Sequence, residues 1–105
     1  MSTAKLSSPL FDSSGFLADI GAWNETLARD IAELDGVGPL TAAHWKVIRH
    51  LRQSWLEHHT IPAVSHTCHV AGLGPQCLED LFRGPREAWR VAGLPDPGEE
   101  ARAYM

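Results

Sequence analysis

The sequence predicts a single, mostly helical domain of the α+β class, with about five helices, a short N-terminal β-hairpin and an extended C-terminal arm. Apolar residues recur at helical spacing through the middle of the chain. Near the start, two apolar pairs flank the turn-forming residues 12–15, a pattern that favours a hairpin. Two prolines and two glycines within residues 93–98 prevent a helix there and indicate an arm. The 105 residues therefore divide into a flexible N-terminus (1–10), one domain (11–92) and the arm (93–105).

The hairpin and the first helix are predicted from the residues up to position 36. Leu10-Phe11 and Phe16-Leu17 are the two sides of the hairpin. Asp19 is the candidate N-cap of a helix that starts near Ala22, and Gly36 ends that helix. Its expected buried stripe recurs at steps of four, four and three residues and consists of Trp23, Leu27, Ile31 and Leu34.

The longest predicted helix covers residues 42–58, and Thr41 is its candidate N-cap. Two short helices follow at residues 63–71 and 75–82, and a last short helical segment begins after Gly84. The stripe that we expect the longest helix to bury consists of Trp45, Ile48, Leu51 and Trp55.

The charge balance argues against nucleic-acid and membrane partners. Nine basic and thirteen acidic residues leave a net charge of −4, whereas nucleic-acid modules normally carry a basic excess. The glycine turn 72–74 between the two short helices resembles a helix-turn-helix, but the second helix carries Glu79 and Asp80 and no basic residue. No apolar run approaches the roughly 20 residues that span a bilayer, and the start lacks the apolar stretch of a signal peptide. We therefore expect a cytoplasmic protein with reduced thiols.

Histidine and cysteine side chains in the middle of the chain raise the question of a metal site, because both bind zinc. His66 and His69 share one face of a predicted helix, but Cys68 points about 100–200° away from them. The spacing matches no zinc signature, so we expect solvent-facing histidines and no metal. The residues considered are His58, His59, His66, Cys68 and His69. No phosphate loop, paired carboxylates or nucleophilic triad is present, so we expect no catalytic site, no cofactor and no enzyme.

The sequence leaves two interpretations open for Cys77, and two for Trp89, which lies among arginines. Cys77 lies near the start of a short helix, where a thiol pKa can be lowered, or it is a small apolar residue at a helix contact. Cys68 could approach it, but the sequence does not show their geometry. Trp89 is either the aromatic anchor of an interface or a core tryptophan beside a solvated basic face. The arginines around it are Arg83, Arg86 and Arg90.

A series of short motifs runs through most of the chain in a specific order. The most specific is Ala92-Gly93-Leu94-Pro95-Asp96-Pro97. The earlier ones are Gly15-Phe16-Leu17, Trp23-Asn24-Glu25, Leu40-Thr41, His44-Trp45, Val47-Ile48, Leu51-Arg52, Ile61-Pro62-Ala63-Val64, Leu81-Phe82 and Gly84-Pro85. Through these motifs the chain, from Phe11 to Pro97, resembles the DsrC/TusE family of sulfur-relay proteins.

The resemblance implies a small DsrC-like helical domain with an N-terminal β-hairpin and a mobile C-terminal arm. Family members carry sulfur as a persulfide or trisulfide on one or two arm cysteines and dock the arm into larger enzymes of sulfur metabolism. Counted from Gly93, the inner cysteine position is Trp89 and the terminal one is Glu100. Neither side chain can hold a sulfane sulfur, because that requires a thiolate. Asp96 replaces the family's lysine and reverses its charge.

These departures lead to a hypothesis of a non-catalytic, regulatory relative. It would bind a protein partner, a sulfite reductase-like or other sulfur-metabolism enzyme complex, and compete with a true sulfur carrier. One alternative is a carrier with relocated thiols, in which Cys77 accepts sulfur and Cys68 resolves it. Another is a small accessory subunit of a redox complex. The expected partner-binding residues are Arg83, Arg86, Trp89, Arg90, Gly93, Leu94, Pro95 and Pro97.

Overall fold

Six α-helices and one 3-10 turn form the described part of the chain. The computed structural model describes residues 11–12 and 14–103, apart from the side chains of residues 100 and 102. The 3-10 turn covers Ile20–Ala22, and the helices are α1 (Glu25–Leu34), α2 (Ala42–His58), α3 (Val64–Val70), α4 (Cys77–Phe82), α5 (Pro85–Val91) and α6 (Glu99–Ala103). None of the helices in this described part combines the length and the apolar character that a membrane span requires. The predicted flexible segment 1–10 lies outside the described residues.

The predicted N-terminal hairpin is wrong, and with it the α+β class, because the described residues form helices and no β-strand. Phe11 and Leu17 make only one isolated antiparallel bridge. Between them, a carboxylate oxygen of Asp12 accepts the backbone N–H groups of Ser14 and Phe16 at 2.9 and 3.0 Å. A side chain that takes these donors competes with a strand ladder, so the segment closes as a tight turn. Leu10, the remaining hairpin residue, lies outside the described part.

Helix α1 starts later than predicted. Asp19 caps the 3-10 turn, where its carboxylate accepts the N–H of Gly21 at 2.9 Å. The N-cap of α1 is Asn24, whose side-chain oxygen accepts the N–H of Leu27 at 2.8 Å. The predicted stripe is therefore only partly correct: Leu27 and Ile31 are buried, whereas Leu34 is exposed at the end of the helix.

Helix α2 has the predicted bounds, but its buried face is rotated from the predicted stripe. Ile48 and Leu51 are buried together with His44 and Val47, whereas Trp45 and Trp55 are half-buried. His44 can lie inside because both ring nitrogens have partners. Nε2 donates to the Leu81 carbonyl at 2.7 Å, and Nδ1 accepts the N–H of Thr41 at 3.0 Å. This histidine therefore ties the start of α2 to α4.

The core lies between α1, α2 and the later helices and is completed by residues at both ends of the domain. From the N-terminal turn, Phe16 and Leu17 enter it, and from the arm, Leu94 does so with no exposed surface. The predicted arm is thus not exposed along its whole length. The largest fully buried side chains are Trp89, Phe16, Phe82, Leu17, Ile31, Ile48, Leu94, Val47 and Val91.

Candidate functional site

Trp89 lies at the centre of the candidate site, where the arm leaves the domain. It is on α5 and is only 1% exposed. Its indole Nε1–H donates to the Pro95 carbonyl at 2.7 Å. Its ring contacts Trp55 edge to face, with 5.8 Å between the ring centroids. Trp89 is therefore a core residue, and its polar edge holds the start of the arm.

Gly93 lets the chain turn from α5 into the arm against a second tryptophan. Its φ of 69° is in the left-handed region that favours glycine. A Cβ atom at this position would overlap Cδ1 and Cγ of Trp23 and lie 2.9 Å from its Cβ. Trp23 cannot easily move away, because its Nε1–H donates to the Val91 carbonyl at 2.9 Å. Close approach and backbone conformation both require glycine here.

Arg52 covers the other side of this contact. Its guanidinium lies 3.9 Å from the centroid of the Trp23 ring and donates to the Ala92 carbonyl at 2.9 Å. Burial lowers the pKa of the Arg52 guanidinium, which remains charged at neutral pH. Periodicity does not indicate this residue, because Arg52 falls outside the apolar stripe of α2; its place in the Leu51-Arg52 motif is the only signal.

Arg86 and Arg90 point inward and fasten the N-terminal turn to α5. Arg86 donates to the Ser14 carbonyl at 2.9 Å. Arg90 makes two bonds to the Asp35 carboxylate, at 2.7 and 3.1 Å, and also donates to the Gly15 carbonyl. These two arginines are therefore bound within the chain rather than forming a solvated basic face. Of the three arginines, Arg83 is the exposed one.

The arm becomes more exposed with distance from α5. Pro95 and Pro97 are half-buried, and Gly98 and Glu99 are exposed. Gly98 has a φ of 105°, and its N–H donates to the Asp96 carboxylate at 2.9 Å. The short helix α6 follows, so the segment after the second proline is helical rather than extended.

Cys68 and Cys77 form a disulfide that joins α3 to α4. Their Cα atoms are 5.7 Å apart, and the residues are 0% and 4% exposed. The chain has two cysteines and both are in this bond. The expectation of reduced thiols is therefore not met in this structure. Both cysteines are buried at a helix contact, and neither is present as a thiolate.

The histidines do not assemble into a metal site. His58, His59, His66 and His69 are exposed, as expected, and the sulfur of Cys68 is in the disulfide. Within the described residues, no group of three or more ligand side chains could hold a metal ion.

His50 carries no functional signal in the sequence, but in the structure it lines a cavity of about 310 Å³ together with His66. The centroids of the two imidazole rings are 5.6 Å apart. Burial, and to a smaller extent the nearby His66, lowers the pKa of His50. Its position on α2 gives no sequence signal for this contact, because His66 comes from a different helix.

The described residues form a small helical domain in which Trp23 and Trp89 contact the start of the C-terminal arm, the helical domain and arm that are expected of a small DsrC-like protein. The family model described as "DsrC like protein" matches residues 4–99, and the chain belongs to this family. The family resemblance read from the sequence is thereby confirmed.

Known members of the family are similar along most of the chain. The sulfurtransferase TusE of Pectobacterium atrosepticum is 36% identical over 95 residues, which cover 82% of this chain and 86% of the relative. The TusE homologue of Haemophilus influenzae is 37% identical over 97 residues, which cover 84% and 88%. Among solved structures, the chain is similar to the oxidized gamma-subunit of the dissimilatory sulfite reductase (DsrC) from Archaeoglobus fulgidus, with a TM-score of 0.72 and 32% identity. The match covers 85% of this chain and 89% of that subunit. The chain's homologues are therefore sulfur-relay proteins.

Proposed function

We propose that this chain is a non-catalytic member of the DsrC family that binds a partner enzyme of sulfur metabolism through its C-terminal arm. It would act as a regulator by competing with a true sulfur carrier for that partner. The partner would be a sulfite reductase-like or other sulfur-metabolism enzyme complex, met in the cytoplasm. Sulfur transfer is not part of this role, so the chain would not be an enzyme.

The observation that carries the proposal is the absence of a usable thiolate. Trp89 and Glu100 occupy the positions where the family resemblance implies arm cysteines. The remaining two sulfurs, in Cys68 and Cys77, are bonded to each other and buried. A sulfur carrier needs a nucleophilic thiolate that a donor can reach. The chain retains the family's domain and its Gly93–Pro97 motif without that nucleophile.

A displacement assay tests this role directly. A DsrC/TusE carrier with both arm cysteines is first bound to its partner enzyme, and the present chain is then added while release of the carrier is measured. We expect release by the wild-type chain and by a Cys68→Ala/Cys77→Ala variant, because no thiol is involved. A chain cut after Pro95 keeps the buried Leu94 but lacks Pro97 and the residues after it, so it serves as the arm-deficient control. Equal release by this shortened chain would exclude the segment after Pro95 as the binding element.

A relocated sulfur carrier is the second candidate, since the disulfide shows that the two sulfurs reach each other. A dithiol would first reduce the bond and be oxidised to its own disulfide. Cys77 would then take the terminal sulfur of a persulfide donor, whose remaining part leaves as a thiol. Mass spectrometry would detect a gain of about 32 Da on Cys77. This adduct would support the carrier and count against the non-catalytic role; the Cys77→Ser variant must abolish it.

An accessory subunit is the third candidate, because one solved relative is described as the gamma-subunit of a dissimilatory sulfite reductase. Size-exclusion chromatography separates this candidate from the competitor. A subunit would elute together with the enzyme and its bound carrier in one complex. A competitor would replace the carrier.

A further inference from the structure

Burial and one hydrogen bond divide the arm into two parts. Leu94 is fully buried, whereas Pro95 and the described side chains after it are half-buried or exposed, and the Pro95 carbonyl is the last arm group that Trp89 binds. We name Gly93–Pro95 the arm root and residues 96–103 the outer arm. Leu94 of the arm root packs in the core, whereas no described side chain of the outer arm is fully buried.

Two bonds from one residue hold the arm root to α5. The buried indole Nε1–H of Trp89 donates to the Pro95 carbonyl at 2.7 Å, and the Trp89 carbonyl accepts the N–H of Leu94 at 3.3 Å. Opening the root would expose Leu94 and leave the indole N–H without this partner. A buried donor that loses its partner carries a desolvation cost, so the closed root is favoured.

We propose that Trp89 is a latch that keeps the arm root closed on the domain, so that docking uses the outer arm alone. The proposal rests on the proposed function for its partner but concerns the free chain. Of the predicted contact residues in the arm, it assigns Gly93, Leu94 and Pro95 to the fixed root and Pro97 to the docking segment. With Trp89 at this position, the part of the arm that can move begins after Pro95 and is shorter than an arm that moves from Gly93.

Hydrogen exchange measured by NMR on the full chain, without a partner, tests the latch. We expect the Trp89 indole proton and the Leu94 amide to exchange about a hundredfold or more slowly than the exposed Gly98 amide, because they open only with the root. Exchange of the Trp89 indole as fast as that of Gly98 would overturn the proposal. A chain that binds no partner would leave this result unchanged, so failure of the latch and failure of the proposed function are distinguishable.

Trp89→Phe isolates the indole donor, since phenylalanine keeps an aromatic ring but has no N–H. We expect the Leu94 amide to exchange about tenfold faster, the change that corresponds to a hydrogen bond of about 1.4 kcal/mol. Trp55→Phe is the matched control, because Trp55 contacts the same ring but leaves the bond to Pro95 in place. An equal acceleration in both variants, or none in Trp89→Phe, would contradict the latch. The wild-type measurement stands if Trp89→Phe does not fold.

Discussion

Replacing Gly93 by alanine is expected to destabilise the domain severely. The left-handed φ of 69° costs an alanine about 1–2 kcal/mol. The new Cβ would overlap the Trp23 ring, and such overpacking costs about 1–3 kcal/mol. Displacing Trp23 would also break its bond to the Val91 carbonyl, at about 1 kcal/mol. The sum of about 3–6 kcal/mol is a large part of the roughly 5–15 kcal/mol that stabilises a domain.

Urea unfolding followed by tryptophan fluorescence measures this loss. Gly72→Ala is the matched control, because Gly72 has a similar φ of 73° but no atom within 4 Å of the added Cβ. It should lose only the backbone contribution of about 1–2 kcal/mol. If both variants lose the same free energy, the contact with Trp23 does not explain the need for glycine at position 93, and the reasoning is refuted.

Three further predictions concern the crosslink, the ion pair and a histidine. Reducing the Cys68–Cys77 bond should lower the free energy of unfolding by about 2.5 kcal/mol; a double alanine variant that still responds to dithiothreitol would contradict this. Asp35→Asn should lower the free energy of unfolding in urea by about 2 kcal/mol, because the side chains of the Asp35–Arg90 pair are only 13–14% exposed. Glu25→Gln should lower it by about 0.5 kcal/mol or less, because the side chains of the Glu25–Arg29 pair are 56–63% exposed. Because the folded-state pKa of His50 lies below the usual 6.5, the unfolded chain binds more protons in the window between the two values. The contribution of His50 to stability should therefore be complete above pH 6.5 and should decline as the pH falls towards the folded-state pKa. In the His50→Gln variant the free energy of unfolding should depend less on pH in this window, and an unchanged slope would contradict the assignment.

The helices could be predicted where the signal lies within a few residues. Helix α2 has the predicted bounds 42–58, and its N-cap Thr41 is correct, because caps and periodicity act over one or two turns. The hairpin prediction failed for an equally local reason. Apolar pairs around a turn suit two strands, but the Asp12 carboxylate takes the donors of Ser14 and Phe16.

The partner-binding role expected of the candidate-site residues stays a prediction, but the structure shows what these residues contact within the chain. For Trp89 the sequence leaves an interface anchor and a core tryptophan open, and the structure gives both Trp89 and Arg90 hydrogen-bond partners within the chain. The missing signal is the identity of those partners. Arg90 meets Asp35, which is 55 residues away, and Trp23 meets Val91 across 68 residues. Nothing in the pattern around an arginine indicates that a carboxylate so far along the chain neutralises it.

The family, most of the helices and the loss of both arm cysteines could be predicted from the order of residues alone. These properties depend on residue identity, on spacing and on hydrogen bonds within a turn or two of helix. Packing decided which tryptophan lies inside, that the two cysteines meet, and that the arm root at Gly93–Pro95 belongs to the core. Such outcomes depend on surfaces brought together from distant parts of the chain. Their free energy arises only when water is excluded between those surfaces, so the structure was needed to see them.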